Sequence, residues 1–448
     1  MRNYLYIPLL VLLLVGCQEK PEALNTSSET KVNTFSFYKD TANLGLTEAI
    51  YTIEHLSDTG RIYSKDSLRF GTRLDSVVPN ITYKAIPAAV KYILPDTVVV
   101  STGLDTLDFS KAPIYLYVQS SDLTQERWYR IDIAVHTVDP ELYVWKQLSA
   151  PFPPQHCDMK AFYIDGEIEL FVNNGFSTQL YSSKAGIVWE SQGAPIGLPT
   201  FCSVRDILQC NDTLYYTEGN KIYKSTDPSN WDVMNVSIGG FSVVNMLVAY
   251  HDMPWCILQD SATSGLCLGR LHNGTIEPMT NVSGLSEGFL PKDFPVSDFA
   301  ALSFASSSER PRAMIVGGRT QEGIPVNTRW NIEYERTAGY RMLDFSIEQP
   351  SFASLTGMSI IQYDQHLMMF GGIDNDMDYR SDILYSDDEG MHWYAPDSMQ
   401  NRLPDNYTSR QRQTVVVDNQ NNIYIIGGQD NTQSYSDVYR GYKNELKW

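Results

Sequence analysis

Short apolar segments alternate with Gly- and Asp-rich turns along most of this chain, and residues 367–394 show the pattern in full. The apolar run from Leu367 to Phe370 ends in Gly371-Gly372, and a polar loop follows. A second run, from Asp382 to Tyr385, leads into a turn of the form S-x-D-x-G-x-x-W. Short β-branched or aromatic runs separated by such turns predict antiparallel hairpins. The fixed positions of the turn, which we interpret as structural, are Ser386, Asp388, Gly390 and Trp393.

The same unit recurs after Pro140, with a strongly apolar second strand in each repeat. The predicted second strands are Ile168 to Val172, Thr213 to Thr217, Pro254 to Leu258, Ala313 to Val316, Leu367 to Phe370 and Ile423 to Ile426. The last three end in Gly-Gly, and related turns begin at positions 182, 225, 270, 335, 386 and 441. A spacing of about 40–50 residues is typical of propeller blades. The pattern predicts a six-bladed β-propeller over residues 141–448.

Closure of the ring is predicted from the beginning of this region. Val144 to Leu148 has the pattern of an outer strand, but no blade precedes it. A propeller must join its first and last blades, because otherwise it leaves unpaired strand edges. We therefore expect Val144 to Leu148 to complete the last blade.

Residues 32–140 have a different pattern, with short strands and no repeat. Tyr129 to Val135 alternates apolar and polar positions, as in a strand with one buried face. One helical window, from Leu46 to Leu56, interrupts an otherwise all-β profile. An Ig-like β-sandwich domain of roughly 100 residues fits this pattern. The preceding polar segment, residues 18–31, is predicted to be a flexible tether.

The first 17 residues have the pattern of an export signal. A short positive end precedes an apolar stretch from Tyr4 to Val15, which is shorter than the roughly 20 residues of a membrane-spanning helix. The stretch ends in Leu14-Val15-Gly16-Cys17, which resembles the bacterial lipobox, and the resemblance implies lipidation at Cys17. Gln18 follows where a retention signal would place Asp, so we expect an outer-membrane lipoprotein on the periplasmic or cell-surface side.

Charge and cysteine usage narrow the class of protein. The 448 residues carry a net charge of −19 with a pI near 4.7, which argues against a nucleic-acid partner, whose phosphates require basic patches. Five cysteines follow Cys17, so at least one is unpaired. Cys256 and Cys267 are candidates to face each other across a hairpin, although the fold does not depend on a disulfide.

The repeat motifs resemble two known families. Gly-Gly after an apolar strand resembles the kelch repeat of galactose-oxidase-like propellers, and the S-x-D-x-G-x-x-W turn resembles the Asp box of sialidase-like propellers. With the lipobox and the sandwich, the whole chain resembles an uncharacterised family of Bacteroides-type surface lipoproteins. In both repeat families these motif residues are structural, so the resemblance implies a fold and names no reaction.

The catalytic constellations of those families are not found in the sequence. The seven histidines do not cluster as a copper site would require, and no Arg-Ile-Pro motif is present for a sialidase. Asp374, Asp376 and Asp378 have the spacing of the first half of a calcium loop, but the later Gly and Glu are missing. We therefore predict no cofactor and retain these three only as a weak calcium candidate.

Function is predicted from the loops that follow the Gly-Gly ends, where propellers commonly bind ligands. These loops, Arg319 to Trp330, Ile373 to Arg380 and Gln429 to Tyr435, carry aromatic and charged side chains that suit sugars. The candidate binding residues are Arg319, Trp330, Asp374, Asp376, Tyr379, Arg380, Asp430 and Tyr435. We expect a non-catalytic module that binds a glycan or a surface protein, and the open alternatives are a carbohydrate-active hydrolase or oxidase and a structural component of a surface assembly.

Overall fold

The computed structural model describes residues 26–41, 43–46, 49–139, 142–148, 158–346, 353–395 and 403–444. These residues form two compact units, 26–139 and 142–444. Cys17 and the signal segment lie outside the described residues, as do Cys157 and Trp448. Within the described ranges, no helix is long and apolar enough to cross a membrane.

The first unit contains a six-stranded sheet and a two-stranded sheet. Its strands are β1 (Val32–Phe37), β2 (Tyr51–Glu54), β3 (Thr59–Ser64), β4 (Pro79–Tyr83), β5 (Ala89–Ile93), β6 (Val98–Val100), β7 (Ile114–Gln119) and β8 (Glu126–Asp132). The larger sheet has the order β2-β3-β8-β7-β5-β6 with β3 and β8 parallel, and β1 pairs with β4. Apolar side chains of both sheets share one core, in which Val32, Ile62, Leu116 and Tyr129 are almost fully buried. The unit is therefore all-β and sandwich-like.

The helical prediction for Leu46 to Leu56 is wrong. Among the described residues of this part of the chain, the turn Leu44–Leu46 is helical, as a short 3₁₀ helix, and β2 occupies the centre of the window. Ile53 of β2 pairs with Ile62 of β3. Pairing with a neighbouring strand therefore outweighs a weak local helical pattern, because strand preference depends mainly on packing against neighbours.

The second unit consists of six sheets in its described residues. Its strands, after β9 (Tyr143–Leu148), are β10 (Asp158–Ile164), β11 (Glu167–Asn173), β12 (Thr178–Ser183), β13 (Glu190–Gly193), β14 (Leu208–Cys210), β15 (Thr213–Glu218), β16 (Lys221–Asp227), β17 (Asn230–Met234), β18 (Phe241–Tyr250), β19 (Met253–Asp260), β20 (Leu266–His272), β21 (Thr275–Pro278), β22 (Ala300–Ala305), β23 (Pro311–Val316), β24 (Arg329–Glu335), β25 (Gly339–Asp344), β26 (Ser359–Tyr363), β27 (His366–Phe370), β28 (Ile383–Ser386), β29 (Thr414–Val417), β30 (Ile423–Ile426) and β31 (Val438–Lys443).

We number these sheets 1 to 6 in chain order: β10 to β13, β14 to β17, β18 to β21, β22 to β25, β26 to β28, and β29 to β31 with β9. From sheet 2 to sheet 6, the first strand of each sheet contacts the first strand of the following sheet, and β29 of sheet 6 contacts β10 of sheet 1. The gap between sheets 1 and 2 is bridged by a contact of β10 with the 3₁₀ helix Val204–Asp206, which precedes β14. The ring of first strands is therefore closed, which is the arrangement of a β-propeller. All six predicted second strands are confirmed, as β11, β15, β19, β23, β27 and β30.

The prediction that β9 completes the last sheet and so closes the ring is also confirmed. β9 pairs antiparallel with β31, from Leu148 opposite Val438 to Tyr143 opposite Lys443. Tyr143 and Leu148 are buried, at 6% and 7% exposure, so β9 is packed into sheet 6 as well as hydrogen-bonded to it. The outer edge of β31 is thereby covered.

The Gly-Gly pairs occupy the left-handed region of backbone conformation. The φ angles are +55° and +97° at Gly317 and Gly318, with almost the same values at positions 371–372 and 427–428. A Cβ atom on Gly318 would lie 2.7 Å from the carbonyl oxygen of Ser297. Glycine is required at this position by both its φ angle and the close approach of the neighbouring backbone.

The turn at residues 386–393 is a closed hydrogen-bonding unit. The Asp388 carboxylate accepts hydrogen bonds from the Ser386 hydroxyl (2.9 Å) and the backbone N–H of His392 (2.8 Å). The Trp393 indole donates to the carbonyl oxygen of Gly390, and its ring packs among side chains of sheets 4 and 5, including Met314 and Leu367. The turn tryptophan therefore helps to join neighbouring sheets.

The cysteines of the described residues are all free and buried: Cys202, Cys210, Cys256 and Cys267. The candidate pairing of Cys256 with Cys267 is not formed. In the register of β19 and β20, Cys267 lies opposite Leu258 and Cys256 lies opposite Gly269, so the two cysteines do not face each other across the hairpin.

Candidate functional site

The first strands of the sheets surround an axial channel. At the end where these strands begin, the channel holds a cavity of about 240 Å³ lined by side chains of sheets 1, 2, 3, 4 and 6. Farther along, all six first strands line a wider cavity of about 650 Å³. Charged side chains are concentrated at the narrower end. We define the axial cluster as Asp158, Lys160, Arg205, Asp206, Asp298 and Arg412.

Arg412 connects three sheets within the axial cluster. Its guanidinium group, at the entrance to sheet 6, lies 3.2 Å from the carboxylate of Asp158 in sheet 1 and 2.8 Å from that of Asp298 before sheet 4. Arg319 also approaches Asp298, at 3.5 Å. The Asp158 and Asp298 side chains are 15% and 18% exposed, so these ion pairs are only partly screened by solvent.

The backbone that presents these side chains is strained. Asp298, Gly357 and Arg412 each lie two residues before the first strand of sheets 4, 5 and 6, with φ angles of +52°, +70° and +58°. The N–H of Gly357 donates to the carbonyl of Asp298, and the N–H of Arg412 donates to that of Gly357. A left-handed conformation at a non-glycine residue costs about 1–3 kcal/mol and is concentrated at functional sites. This backbone arrangement holds Asp298 and Arg412 at the end of the channel where the first strands begin.

Arg205 lies across the channel. It belongs to the 3₁₀ helix before sheet 2, and its guanidinium donates to the carbonyl oxygen of Met358 before sheet 5, at 3.2 Å. Lys160 of β10 donates from Nζ to the carbonyl oxygen of Arg205, at 2.7 Å. The Lys160 ammonium group therefore contacts the Arg205 backbone, and both side chains line the narrow cavity.

Burial and charge shift the protonation of this cluster. Burial is the main cause that raises the pKa of Asp158, against the opposing effect of Arg205 and Arg412. Burial, followed by the positive charge of Arg205, lowers the pKa of Lys160 to about 8. Asp206 accepts a hydrogen bond from the Asn245 side-chain amide, at 2.9 Å. Perturbed carboxyl and amino groups in a cavity are typical of functional sites.

The predicted binding loops lie at the same end of the propeller as the axial cluster. Isolated bridges join Ser297 to Arg319, Thr356 to Ile373 and Gln411 to Gln429, so each loop starts beside the entrance to the first strand of its own sheet. Of the eight candidate binding residues, Arg319 contacts the axial cluster directly, through Asp298. None of the eight lines the narrow cavity itself.

The acidic loop residues are engaged in their own turns. Asp374 accepts the backbone N–H groups of Asp376 and Asp378, at 3.0 and 2.9 Å. Asp430 accepts the Tyr435 hydroxyl at 2.5 Å as well as two backbone N–H groups of its loop. In the described part of the chain, no three His, Cys, Asp or Glu side chains are grouped as a metal site would require.

Two aromatic candidates are held by packing. Trp330 is only 5% exposed, because it is the second residue of β24 and packs against Phe294. It is a core residue, so the prediction that it stacks on a sugar is wrong. The Tyr435 ring covers the guanidinium of the buried Arg410, at 3.8 Å.

Tyr379 and Arg380 lie in the loop between β27 and β28. Burial, followed by the nearby charge of Asp430, raises the pKa of Tyr379. Arg380 pairs with Asp382 of its own loop, at 3.3 Å. Both residues lie at the end of the propeller that holds the axial cluster, but outside the narrow cavity.

Sequence reasoning missed all six residues of the axial cluster. The usable signal was Lys160 itself, a cation inside the apolar run from Met159 to Ile164. A charged side chain within a buried strand is uncommon unless it is paired or functional. No comparable signal marks Asp298 or Arg412, whose positions become equivalent only after the sheets are aligned.

Family comparison agrees with the observed fold. Residues 139–448 match the DUF6242 beta propeller domain. The chain belongs to this family. Residues 23–133 match the Domain of unknown function (DUF6242) N-terminal domain, so the two DUF6242 regions correspond to the two units. No curated protein matches the chain.

Among solved structures, the chain is similar to one titled "Structure of YjhT". The two share 12% sequence identity with a TM-score of 0.46, and the match covers 65% of this chain and 95% of the other.

Proposed function

We propose that the propeller is a non-catalytic binding module and that its ligand is a glycan held at the axial cluster. The observation that carries this proposal is the convergence of charged side chains from sheets 1, 2, 4 and 6 on one cavity. Carboxylates and guanidinium groups are suitable partners for sugar hydroxyls. A cavity of about 240 Å³ lies just below the range of about 300–1,000 Å³ for small-molecule sites, which suits one end of a glycan.

The test is a glycan-array screen of the purified protein, followed by calorimetry on any sugar that binds. Asp158→Asn should weaken binding at least tenfold, because it removes a charged acceptor next to the cavity. Asp376→Asn is the matched control, since Asp376 lies on an outer loop and outside the cavity. Equal affinities of the two variants for the sugar would show that it binds outside the axial cluster. An array on which no glycan binds would overturn the proposal.

A carbohydrate-active hydrolase is the second candidate, favoured by one observation. Asp158, whose pKa is raised by burial, and Asp298 flank the same guanidinium group, and a pair of carboxyl groups serves as acid and base in glycoside hydrolysis. The glycans that bind should therefore also be assayed for cleavage. Turnover that is lost in Asp158→Asn would favour the hydrolase, whereas binding without turnover favours the module. An oxidase has no such observation behind it.

We propose that the protein is anchored to the outer membrane by a lipid on Cys17, as the lipobox pattern suggests. Cys17→Ser should move the protein from the membrane fraction to the soluble fraction, because the anchor is then lost. The assignment fails if the variant partitions like the parent. A structural role in a surface assembly, with a surface protein as partner, is the third candidate, and a glycan screen without binding would favour it.

The finer details of architecture also belong to this proposal. Six sheets in the described residues support six blades, and the turn at Ser386 to Trp393 supports an Asp-box element beside kelch-like Gly-Gly ends. The Ig-like topology of the first unit and the relation to Bacteroides-type surface lipoproteins are proposed on the sequence pattern.

A further inference from the structure

The charges of the axial cluster are not all compensated within the protein. Asp158 and Asp298 are paired with Arg412, and Asp206 accepts from Asn245. Among the described residues, neither Lys160 nor Arg205 has a carboxylate within 4.0 Å. Each instead donates one hydrogen bond to a backbone carbonyl, which leaves further N–H donors on both groups.

The positive charge of Arg205 disfavours the charged form of Lys160. Lys160 donates to the carbonyl oxygen of Arg205, and both side chains line the narrow cavity. Like charges in a partly buried position repel one another, and an anion placed between them would relieve that repulsion. Asp158 and Asp206 act on these cations from a distance, but a partly buried charge that no carboxylate contacts is only partly compensated.

We propose that the axial cavity selects a saccharide carrying a carboxylate and that Lys160 and Arg205 bind this carboxylate. The inference rests on the proposed glycan-binding function and names the chemical class of its ligand. Arg205 offers a planar pair of N–H donors that matches a carboxylate, and Lys160 adds a point charge beside it. The three nearby aspartates, Asp158, Asp206 and Asp298, would accept from sugar hydroxyls and would repel a doubly charged group such as a phosphate monoester.

The pH dependence follows from the groups around Lys160, which are Arg205, Asp206 and Asp158. In the free protein, burial and Arg205 lower the pKa of the Lys160 ammonium to about 8. Lys160 is therefore charged below that pH and loses its proton above it. Affinity for an acidic sugar should fall as pH rises through about 8, while affinity for a neutral sugar should not.

The experiment compares acidic, neutral and sulfated forms of the same sugars on the full mature protein by calorimetry at pH 7. The probes are galacturonate and glucuronate oligosaccharides, their uncharged galactose and glucose counterparts, and their 6-sulfated forms. We expect the uronates to bind at least tenfold more tightly than the neutral forms. Lys160→Met and Arg205→Met should each abolish this preference, and Lys184→Met, at an 83% exposed lysine, should not change it.

The outcomes separate the two proposals. Equal binding of acidic and neutral sugars overturns the carboxylate assignment and leaves glycan binding standing. Tighter binding of the sulfated forms overturns the carboxylate in favour of another anion. If none of the sugars binds to a protein that melts cooperatively, the glycan-binding function itself is wrong. A preference that survives in both methionine variants, checked for unchanged melting temperature, would place the anion elsewhere.

Discussion

Sheets 4 to 6 and sheets 1 to 3 build one ring by different local means. In sheets 4 to 6, every second strand ends in a left-handed Gly-Gly pair, and a left-handed residue precedes every first strand. In sheets 1 to 3 the second strands end without Gly-Gly, at Asn173, Glu218 and Asp260. The paired charges Asp298 and Arg412 come from the repetitive half, and their partner Asp158 comes from the other half. Lys160 and Arg205, which contact no carboxylate among the described residues, also come from that other half.

This difference distinguishes side chains that maintain the fold from side chains that are available to bind a ligand. A repeated motif marks positions where the backbone allows few residues, and its polar groups are satisfied within the repeat, as at Asp388. Lys160 and Arg205 belong to no repeated motif and have donors left over. The departures from the repeat are therefore better guides to binding than the repeat itself.

The largest loss of stability is expected from removing β9, which pairs with the last strand of sheet 6 and precedes sheet 1 in the chain. Deleting residues 1–140 keeps β9, so the propeller should still fold. Extending the deletion through Leu148 removes β9 and the burial of Tyr143 and Leu148, at about 1.5–3 kcal/mol for each side chain. It also exposes the edge of β31. Against a total stability of about 5–15 kcal/mol, we expect loss of cooperative melting in the longer deletion only. Equal melting temperatures for the two proteins would mean that β9 is dispensable.

A smaller effect compares glycines from the two halves. Gly318→Ala should destabilise the protein by about 2–4 kcal/mol, because φ is +97° and the new Cβ would lie 2.7 Å from a carbonyl oxygen. Gly219, in sheet 2, has a φ of +58° and open space around it. Gly219→Ala should therefore cost only about 1 kcal/mol. Urea unfolding of both variants measures the difference, and similar losses would show that the close approach at Gly318 is unimportant.

Arg412 allows strain to be separated from charge. Arg412→Ala should cost about 2 kcal/mol, below the roughly 3–5 kcal/mol of a fully buried pair, because its side chain is 30% exposed. Arg412→Gly removes the same ion pairs but tolerates the left-handed φ of +58°. It should be about 1 kcal/mol more stable than the alanine variant. If thermal melting places the glycine variant at or below the alanine variant, the backbone at this position is not strained.

The smallest effect concerns the turn of sheet 5. Asp388→Ala should cost about 1–2 kcal/mol, since it removes the acceptor that closes the turn, and it should leave ligand affinity unchanged. Asp376→Ala, on an exposed loop, is the control and should change stability by less than about 0.5 kcal/mol. Lost binding in an Asp388→Ala variant of normal stability would make the turn functional.

The contribution of Asp388 should depend on pH. Burial raises its pKa, but hydrogen bonds from His392 and Ser386 outweigh that effect, and the pKa is lowered overall. The stabilisation is therefore complete above the ordinary carboxyl value of about 3.9 and is lost as the pH falls through the lowered pKa. The stability difference between the parent and Asp388→Ala should shrink in acid. A constant difference down to pH 2 would contradict this account.

Much of the fold could be predicted because many of its strands coincide with short apolar runs in the sequence. Ile423 to Ile426, for example, is bounded by Asn422 and Gly427 and became β30 with the same limits. The window from Leu46 to Leu56 failed because β2 is stabilised by its pairing with β3, which no local pattern contains. The site was harder, since Arg205, Asp298 and Arg412 meet only when distant sheets close into a ring. Trp330 was misjudged for the related reason that its burial depends on Phe294, which precedes sheet 4.

The β9 and β31 pairing has a consequence for how the chain is made. β9 is synthesised before every sheet of the propeller, yet its partner lies about 300 residues later. Until β31 leaves the ribosome, β9 has no native edge to join, and bringing its two ends together carries the entropy cost of a very long loop. We therefore expect ring closure to come late in folding, and we expect a nascent chain that stalls before β31 to carry an unpaired strand.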